Sequence, residues 1–249
     1  MLEIRNTWFR YVKGEFTLKN INLKLSEGEV AAVIGPNGSG KTTLLLIASG
    51  LLKPDKGEVL FQGKPLIKQL PRARAKIGIV FQDPDDQLFN STVYDEIAFA
   101  LRQLRLNEEA VDLHVRNIAS KFGIMEILNR PPYKLSEGEK KIVALASVLV
   151  YKPEILMLDE PTANISYKYV KKIKQIINEM KSTGKAILIT SHNVEFVADR
   201  VYILNHGEII AEGRSKEILT NEGILEMAEM KMPIATQTSK ALKINSNGK

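Results

Sequence analysis

Gly35-Pro36-Asn37-Gly38-Ser39-Gly40-Lys41-Thr42-Thr43 is the stretch around which the rest of this chain is expected to be arranged. It fits G-x-x-x-x-G-K-[ST], the Walker A pattern. Residues 29–34 before it form a short apolar run expected as a buried strand, and residues 43–48 after it begin a helix. The glycines let the backbone curl so that successive N–H groups point inward at phosphate oxygens. The helix that follows adds its positive end. Lys41 is placed to reach β- and γ-phosphates, and the Thr42 hydroxyl to ligate Mg²⁺. A pocket for a nucleoside triphosphate is the expectation.

At 249 residues the chain can bury a full core, as one large domain or one domain carrying an insertion. No apolar run approaches the ~18 residues of a membrane span. The opening Met1-Leu2-Glu3-Ile4 lacks the basic-then-apolar profile of a signal peptide. With no cysteine, disulfides and thiolate metal sites are excluded, which fits a reducing interior. A net charge of +6 would suit an anionic membrane surface or nucleic acid. The lysines and arginines are spread through helical patterns rather than clustered, which is how solvated faces look.

Residues 2–6 and 17–25 alternate apolar with polar and are expected as antiparallel, half-exposed strands joined by a turn at Val12-Lys13-Gly14-Glu15. Tyr11, just before that turn, is either an edge-packing residue or an aromatic face for an adenine ring. Residues 58–62 and 77–81 are further strands. Gln82 and the polar, Pro-interrupted 83–89 form a hinge into a helical region. From Thr92 to about Tyr151 the pattern is helical, with one stripe at Tyr94, Ile97, Ala98 and Leu101 and another at Val111, Val115, Ile118 and Phe122. Pro131-Pro132 breaks the run and Ser136 opens the next helix.

Ile155-Leu156-Met157-Leu158-Asp159-Glu160 is an apolar strand ending in paired carboxylates, the Walker B pattern. Asp159 is suited to hold Mg²⁺ through water, and Glu160 to orient or deprotonate the attacking water. Residues 186–190 form another buried strand ending at Ser191-His192. A histidine there is either structural or a γ-phosphate contact, because ligands bind at the carboxyl ends of strands in open α/β sheets. Asn205-His206-Gly207 is the tip of a hairpin, and beyond about Lys231 the chain turns polar and is expected to be loosely ordered.

Leu135-Ser136-Glu137-Gly138-Glu139 reads without any ligand as a capping box, Ser136 with Glu139. The order of motifs adds a second reading. Walker A, a glutamine hinge, a helical insert, an L-S-x-G helix start, Walker B and a strand-end histidine together resemble the ATP-binding cassette ATPases. The resemblance covers residues 1–230. It implies an α/β, RecA-like P-loop core with an antiparallel β subdomain (1–90 and 152–230), an inserted helical subdomain (91–151) and a tail at 231–249. It also implies a head-to-tail dimer that sandwiches two ATP molecules. Tyr11 would then stack on adenine, Gln82 would touch Mg²⁺ and the attacking water, and His192 would contact the γ-phosphate. Leu135 to Glu139 would complete the partner's ATP site.

A narrower match lies at Phe81-Gln82-Asp83-Pro84-Asp85-Asp86-Gln87-Leu88-Phe89 and Thr92-Val93-Tyr94-Asp95-Glu96-Ile97-Ala98-Phe99. It is similar to the ATPases of energy-coupling factor transporters, which import vitamins and transition-metal ions such as cobalt. The resemblance makes Leu88 and Phe89 a docking contact for a membrane component. The alternative is a core contact of the helical subdomain.

Three positions depart from the family pattern. The signature normally reads L-S-G-G-Q, whereas Glu137 and Glu139 stand here, and Ser166 stands where an aspartate is expected. A carboxylate about 5 Å from a γ-phosphate charge costs on the order of 3 kcal/mol at an effective dielectric of about 20. The residues acting on the chain's own nucleotide are intact. This favours a heterodimer over a homodimer, with a partner site that binds ATP and turns over slowly.

The resemblance thus implies an ATPase peripheral to the cytoplasmic face of the cell membrane, driving a separate transmembrane importer component, with no nucleic acid bound. Alternatives are an ATPase of another importer class and a soluble nucleic-acid- or ribosome-associated ATPase.

Overall fold

The alternating segments at the start of the chain fold as β1 (Leu2–Phe9) and β2 (Leu18–Leu25). They are followed by β3 (Val30–Ile34), α1 (Lys41–Ala48), β4 (Lys56–Phe61), β5 (Lys64–Pro65), β6 (Ile77–Val80), α2 (Val93–Gln103), α3 (Glu108–Phe122), α4 (Glu137–Leu149) and β7 (Ile155–Asp159). Next come α5 (Tyr167–Ser182), β8 (Ala186–Ser191), β9 (Arg200–Asn205), β10 (Glu208–Arg214), α6 (Ser215–Leu219) and α7 (Glu222–Met227). This computed structural model describes residues 1–192 and 198–230, so the tail beyond Lys231 lies outside the described residues. The elements gather in two compact units, residues 1–69 with the chain from Leu188 on, and residues 70–187.

In the first unit, β2-β1-β4-β5 form an antiparallel sheet with Leu2 opposite Leu25 and Phe61, and Ile4 opposite Leu23 and Val59. These side chains are all buried, so the alternation of the sequence sends one face of the sheet inward. Each such leucine or isoleucine contributes about 1.5–3 kcal/mol of burial. β3 is buried at every position and runs parallel to β9, with Ala31 opposite Arg200 and Ile34 opposite Ile203. A strand covered on both faces reads as a continuous apolar run rather than an alternation, as seen here. β9 and β10 form the expected hairpin.

In the second unit β6 and β7 are parallel, Ile77 opposite Ile155 and Val80 opposite Leu158. The helical stretch is divided by caps. Thr92 accepts from the Asp95 N–H at the start of α2, Asn107 accepts from the Ala110 N–H at the start of α3, and Ser136 opens α4. On α2, Ile97, Ala98 and Leu101 are buried and Tyr94 is half-buried; its hydroxyl donates to Asp112. On α3, Ala119 is buried in place of the expected Ile118, which is half-buried. From Ile142 to Val150 every residue of α4 and its C-cap is buried, so the helix is covered on all sides beyond its polar first turns, as a central helix must be. The sequence reading singled out no helix at 167–182. α5 buries Ile173, Ile176 and Ile177 at helical spacing along a lysine-rich run, so the 3.6-residue period is present in the sequence there.

Candidate functional site

Residues of the first unit build the loop between β3 and α1. Gly35 passes so close to β9 that a Cβ there would lie 2.0 Å from the Leu204 carbonyl oxygen. Its N–H donates to the Ser191 carbonyl at 3.4 Å, which places His192, exposed, just beyond the strand end that anchors the loop. Gly40 is the N-cap of α1 in a left-handed conformation (φ 106°) that a side chain would strain. On the other side the loop is braced by the hairpin tip, where the Gly207 N–H donates to the Ser39 carbonyl at 3.1 Å. The sequence marked that hairpin but carried no sign that it touches the loop.

The Lys41 ammonium donates to the Gly35 and Pro36 carbonyls at 2.9 and 3.0 Å, so the cation lies in the curl of the loop and is almost fully buried. Ser39 Oγ is buried and, among the described residues, is the side-chain oxygen left without a hydrogen-bond partner. Buried hydroxyls are ordinarily paired, so a loop that buries a cation and an unpaired hydroxyl suits an anion able to take both. Thr42 points to the exposed side of the first turn of α1 and Thr43 to the buried side. The Tyr11 hydroxyl lies 3.2 Å from Thr43 Oγ1, and its ring packs edge-on against Phe9 with centroids 4.9 Å apart. The ring stays 60% exposed, so it is pinned at both ends with a face open. Both sequence-level roles of Tyr11 draw on this placement.

In the second unit, β7 ends at Asp159 and Glu160, both buried. Glu160 has φ 43°, a left-handed conformation costly for a residue with a side chain. Its carbonyl accepts from the Ala163 N–H and from Lys141 Nζ, each at 3.1 Å. Burial pushes the Lys141 ammonium down, against the opposing pull of Glu137, Glu160, Asp83 and Asp159. Gln82 is exposed at the end of β6. The segment after it is held by Glu96, a buried carboxylate that accepts from the Phe89 and Asn90 N–H groups at 3.0 and 2.8 Å and from Asn90 Nδ2 at 3.1 Å. Glu96 lies in the stretch quoted above, yet its type alone gave no hint of this clamp.

The signature segment begins with Leu135, buried, and Ser136, exposed. The capping box is formed as read from the sequence. The Ser136 N–H and O–H both donate to Glu139, at 2.9 and 2.7 Å, and hold its carboxyl below the usual carboxylate range. Gly138 packs under the ring of Tyr169. Glu137 is exposed and accepts from Lys140 at 3.3 Å, while Lys140 donates at 2.6 Å to Asp85 of the hinge segment. Ser166 is the N-cap of α5 and is exposed.

No group of three or more histidine or carboxylate side chains able to cage a metal occurs among the described residues. Among the described residues no helix is long and apolar enough to cross a membrane.

The chain is similar to known proteins over most of its length. A family model described as ABC transporter matches residues 18–163. The energy-coupling factor transporter ATP-binding protein EcfA of Methanocaldococcus jannaschii is 39% identical over 94% of this chain and 86% of its own. The protein of the same name from Methanothermobacter thermautotrophicus is 43% identical over 94% of this chain and 77% of its own. Among solved structures, cbiO1 of Clostridium perfringens, part of the ABC transporter complex cbiONQ, matches with a TM-score of 0.80 at 35% identity, over 96% of this chain and 98% of that one. A dimeric ATP-binding cassette in a post-hydrolysis state with ADP and Pi matches with a TM-score of 0.80 at 28% identity, over 86% of this chain and 99% of that one. The family expected from the motif order is borne out: this chain belongs to the ABC transporter family, as one of its ATPase cassettes.

Proposed function

We propose that this chain is the ATP-binding and ATP-hydrolysing subunit of an energy-coupling factor importer for a vitamin or a transition-metal ion. It acts from the cytoplasmic face of the membrane on a separate transmembrane component. The observation that carries the nucleotide role is the loop of residues 35–43, with the Lys41 ammonium in its curl and the unpaired Ser39 hydroxyl beneath it. The likeness to energy-coupling factor ATP-binding proteins over 94% of the chain supports the transport role.

In this reading the backbone and side chains of Gly35 to Thr43 bind the phosphates, and the open face of Tyr11 takes the adenine. Glu160 polarises a water for attack on the γ-phosphate, Gln82 orients that water, and Lys41 and His192 stabilise the charge that develops. Mg²⁺ neutralises phosphate charge when bound, and Thr42, Gln82 and Asp159 would hold it. Two cassettes close on ATP and reopen after hydrolysis. A heterodimer is favoured, because the signature of this chain carries Glu137 and Glu139 and its α5 start carries Ser166.

The membrane component docks beside the hinge. There Phe89 is 68% exposed and stands edge-on to the partly exposed Phe99 at 5.0 Å. An exposed aromatic pair held by a buried clamp is the kind of anchor that interfaces use. Purification from detergent-solubilised membranes tests the proposal. A multispanning protein and a second cassette are expected to accompany this chain with ATPase activity, whereas bound RNA or DNA in their place would overturn it.

A further inference from the structure

We propose that Lys141 is a positioning residue for ATP hydrolysis, fixing the Glu160 peptide, and through it the Glu160 carboxylate, from the first turns of α4. This rests on the reading of Glu160 as the group that activates water.

Lys141 lies two residues after the signature segment, on a helix whose residues from Lys140 onward are all buried. An ammonium there is costly, and an apolar side chain would pack beside Ile142 and Val143 without that cost. The charge is nonetheless kept and aimed at one main-chain oxygen, that of Glu160, 3.1 Å away. The oxygen does not need it for satisfaction, because the Ala163 N–H already donates to it at 3.1 Å. A second donor adds direction. It comes from a different element, 19 positions away in sequence.

The direction matters because Glu160 holds φ 43°. A left-handed residue with a side chain persists only where its surroundings over-determine it, and its side-chain vector follows from that conformation. A turn bond and a lysine on one carbonyl supply this constraint. Burial lowers the pKa of this ammonium, and Glu137, Asp83 and Asp159 oppose that through space together with Glu160. Movement of α4 therefore carries the Glu160 peptide with it, which ties the carboxylate to the same helix that presents the signature.

The test uses the complete transporter complex with substitutions in this chain only. Lys141→Met keeps the length of the side chain and removes the donor and the charge. Its kcat for ATP is expected to fall on the order of tenfold to a hundredfold. The KM and the affinity for a fluorescent ATP analogue should stay within about threefold, because the nucleotide-binding loop is untouched. Lys141→Arg, which restores a charged donor, should recover at least half of the lost kcat, and Lys141→Met should lower turnover no further in a Glu160→Gln background. Native kcat in Lys141→Met, or Lys141→Arg no better than Lys141→Met, would overturn the proposal. If Lys141→Met does not assemble, Lys141→Arg against Lys141→Gln decides on the same criterion. Near-normal turnover of Glu160→Gln would remove the role of Glu160 itself. An inactive Glu160→Gln beside a fully active Lys141→Met would remove only the role of Lys141.

Discussion

Glu139 Oε2 lies 2.7 Å from Ser136 Oγ and 2.9 Å from the Ser136 nitrogen, so the serine that opens the signature helix is bound by a carboxylate of its own helix. The Ser136 hydroxyl, proposed to face a partner's nucleotide, is thus engaged within the chain. Glu137 is treated differently. Its carboxylate accepts from Lys140, so part of its charge is offset before any phosphate arrives. In the proposed dimer, the repulsion at the partner's site therefore falls below the ~3 kcal/mol of a bare carboxylate at about 5 Å. Replacing both, Glu137→Gly with Glu139→Gln, keeps a capping box, because glutamine serves at that position, and removes both charges. The ATPase rate of this chain alone is expected to rise about tenfold, the equivalent of about 1.4 kcal/mol. An unchanged rate would show that the altered signature is not what limits the chain's turnover.

The same contact titrates. Glu139 is held below its reference value of 4.5 by the two Ser136 donors. A carboxylate with a depressed folded-state value stabilises the fold fully above its unfolded value and loses that contribution as pH falls through the folded one. The cap of α4 is therefore intact at neutral pH and weakens only below 4.5. The Ser136 amide resonance should titrate with a midpoint under 4.5, and a midpoint at or above that value would contradict the cap.

Much of this site is legible in the sequence because its chemistry is local. The glycines, Lys41 and Thr42 are contiguous, the Asp159-Glu160 pair ends an apolar run, and the Ser136–Glu139 box spans one turn. What was not legible depends on contacts between distant segments. Glu96 clamps a loop six and seven positions before it, and Lys141 reaches a carbonyl 19 positions away. The Gly207 N–H braces the nucleotide loop from a hairpin more than 160 positions later in the chain. Helix α5 escaped for a different reason. Its buried stripe of Ile173, Ile176 and Ile177 does have the helical period, but it is set among lysines that make the segment polar on average.

The proposed docking at Phe89 implies a separation of binding from stability. Phe89 is exposed, so its truncation loses little beyond the edge-on contact with Phe99, worth about 0.5–1.5 kcal/mol. Phe89→Ala should lower the melting temperature by no more than about 6 °C and lower recovery of the membrane component about tenfold, since a central aromatic anchor is typically worth more than about 1 kcal/mol. Undiminished recovery would return Phe89 to a packing role beside Phe99.

Lys41 and Glu160 should separate binding from chemistry. Lys41→Ala removes the cation from the curl of the loop and is expected to weaken a fluorescent ATP analogue at least tenfold, the loss of a charge-assisted contact. Glu160→Gln keeps size and polarity, so binding should persist while turnover falls about a hundredfold or more and the closed dimer accumulates. Native turnover in Glu160→Gln would assign water activation to another group.

Gly138 offers a test of the packing behind the signature. A Cβ there would lie 2.1 Å from Tyr169 Cδ2 and 2.4 Å from Cε2, well inside contact distance, so Gly138→Ala forces the ring or the helix to move. Overpacking of this kind costs about 1–3 kcal/mol. Alanine in a helix gains about 1 kcal/mol over glycine, so the two effects oppose and the steric one should win while the ring is present. With a net cost of up to about 2 kcal/mol, Gly138→Ala is expected to lower the melting temperature by up to about 8 °C, at roughly 2–4 °C per kcal/mol for a chain of this size. In a Tyr169→Ala background the obstacle is gone and only the helix preference remains, so the same substitution should raise the melting temperature. That reversal of sign identifies the ring as the cause. Destabilisation of equal size in both backgrounds would instead trace the need for glycine to the backbone of α4.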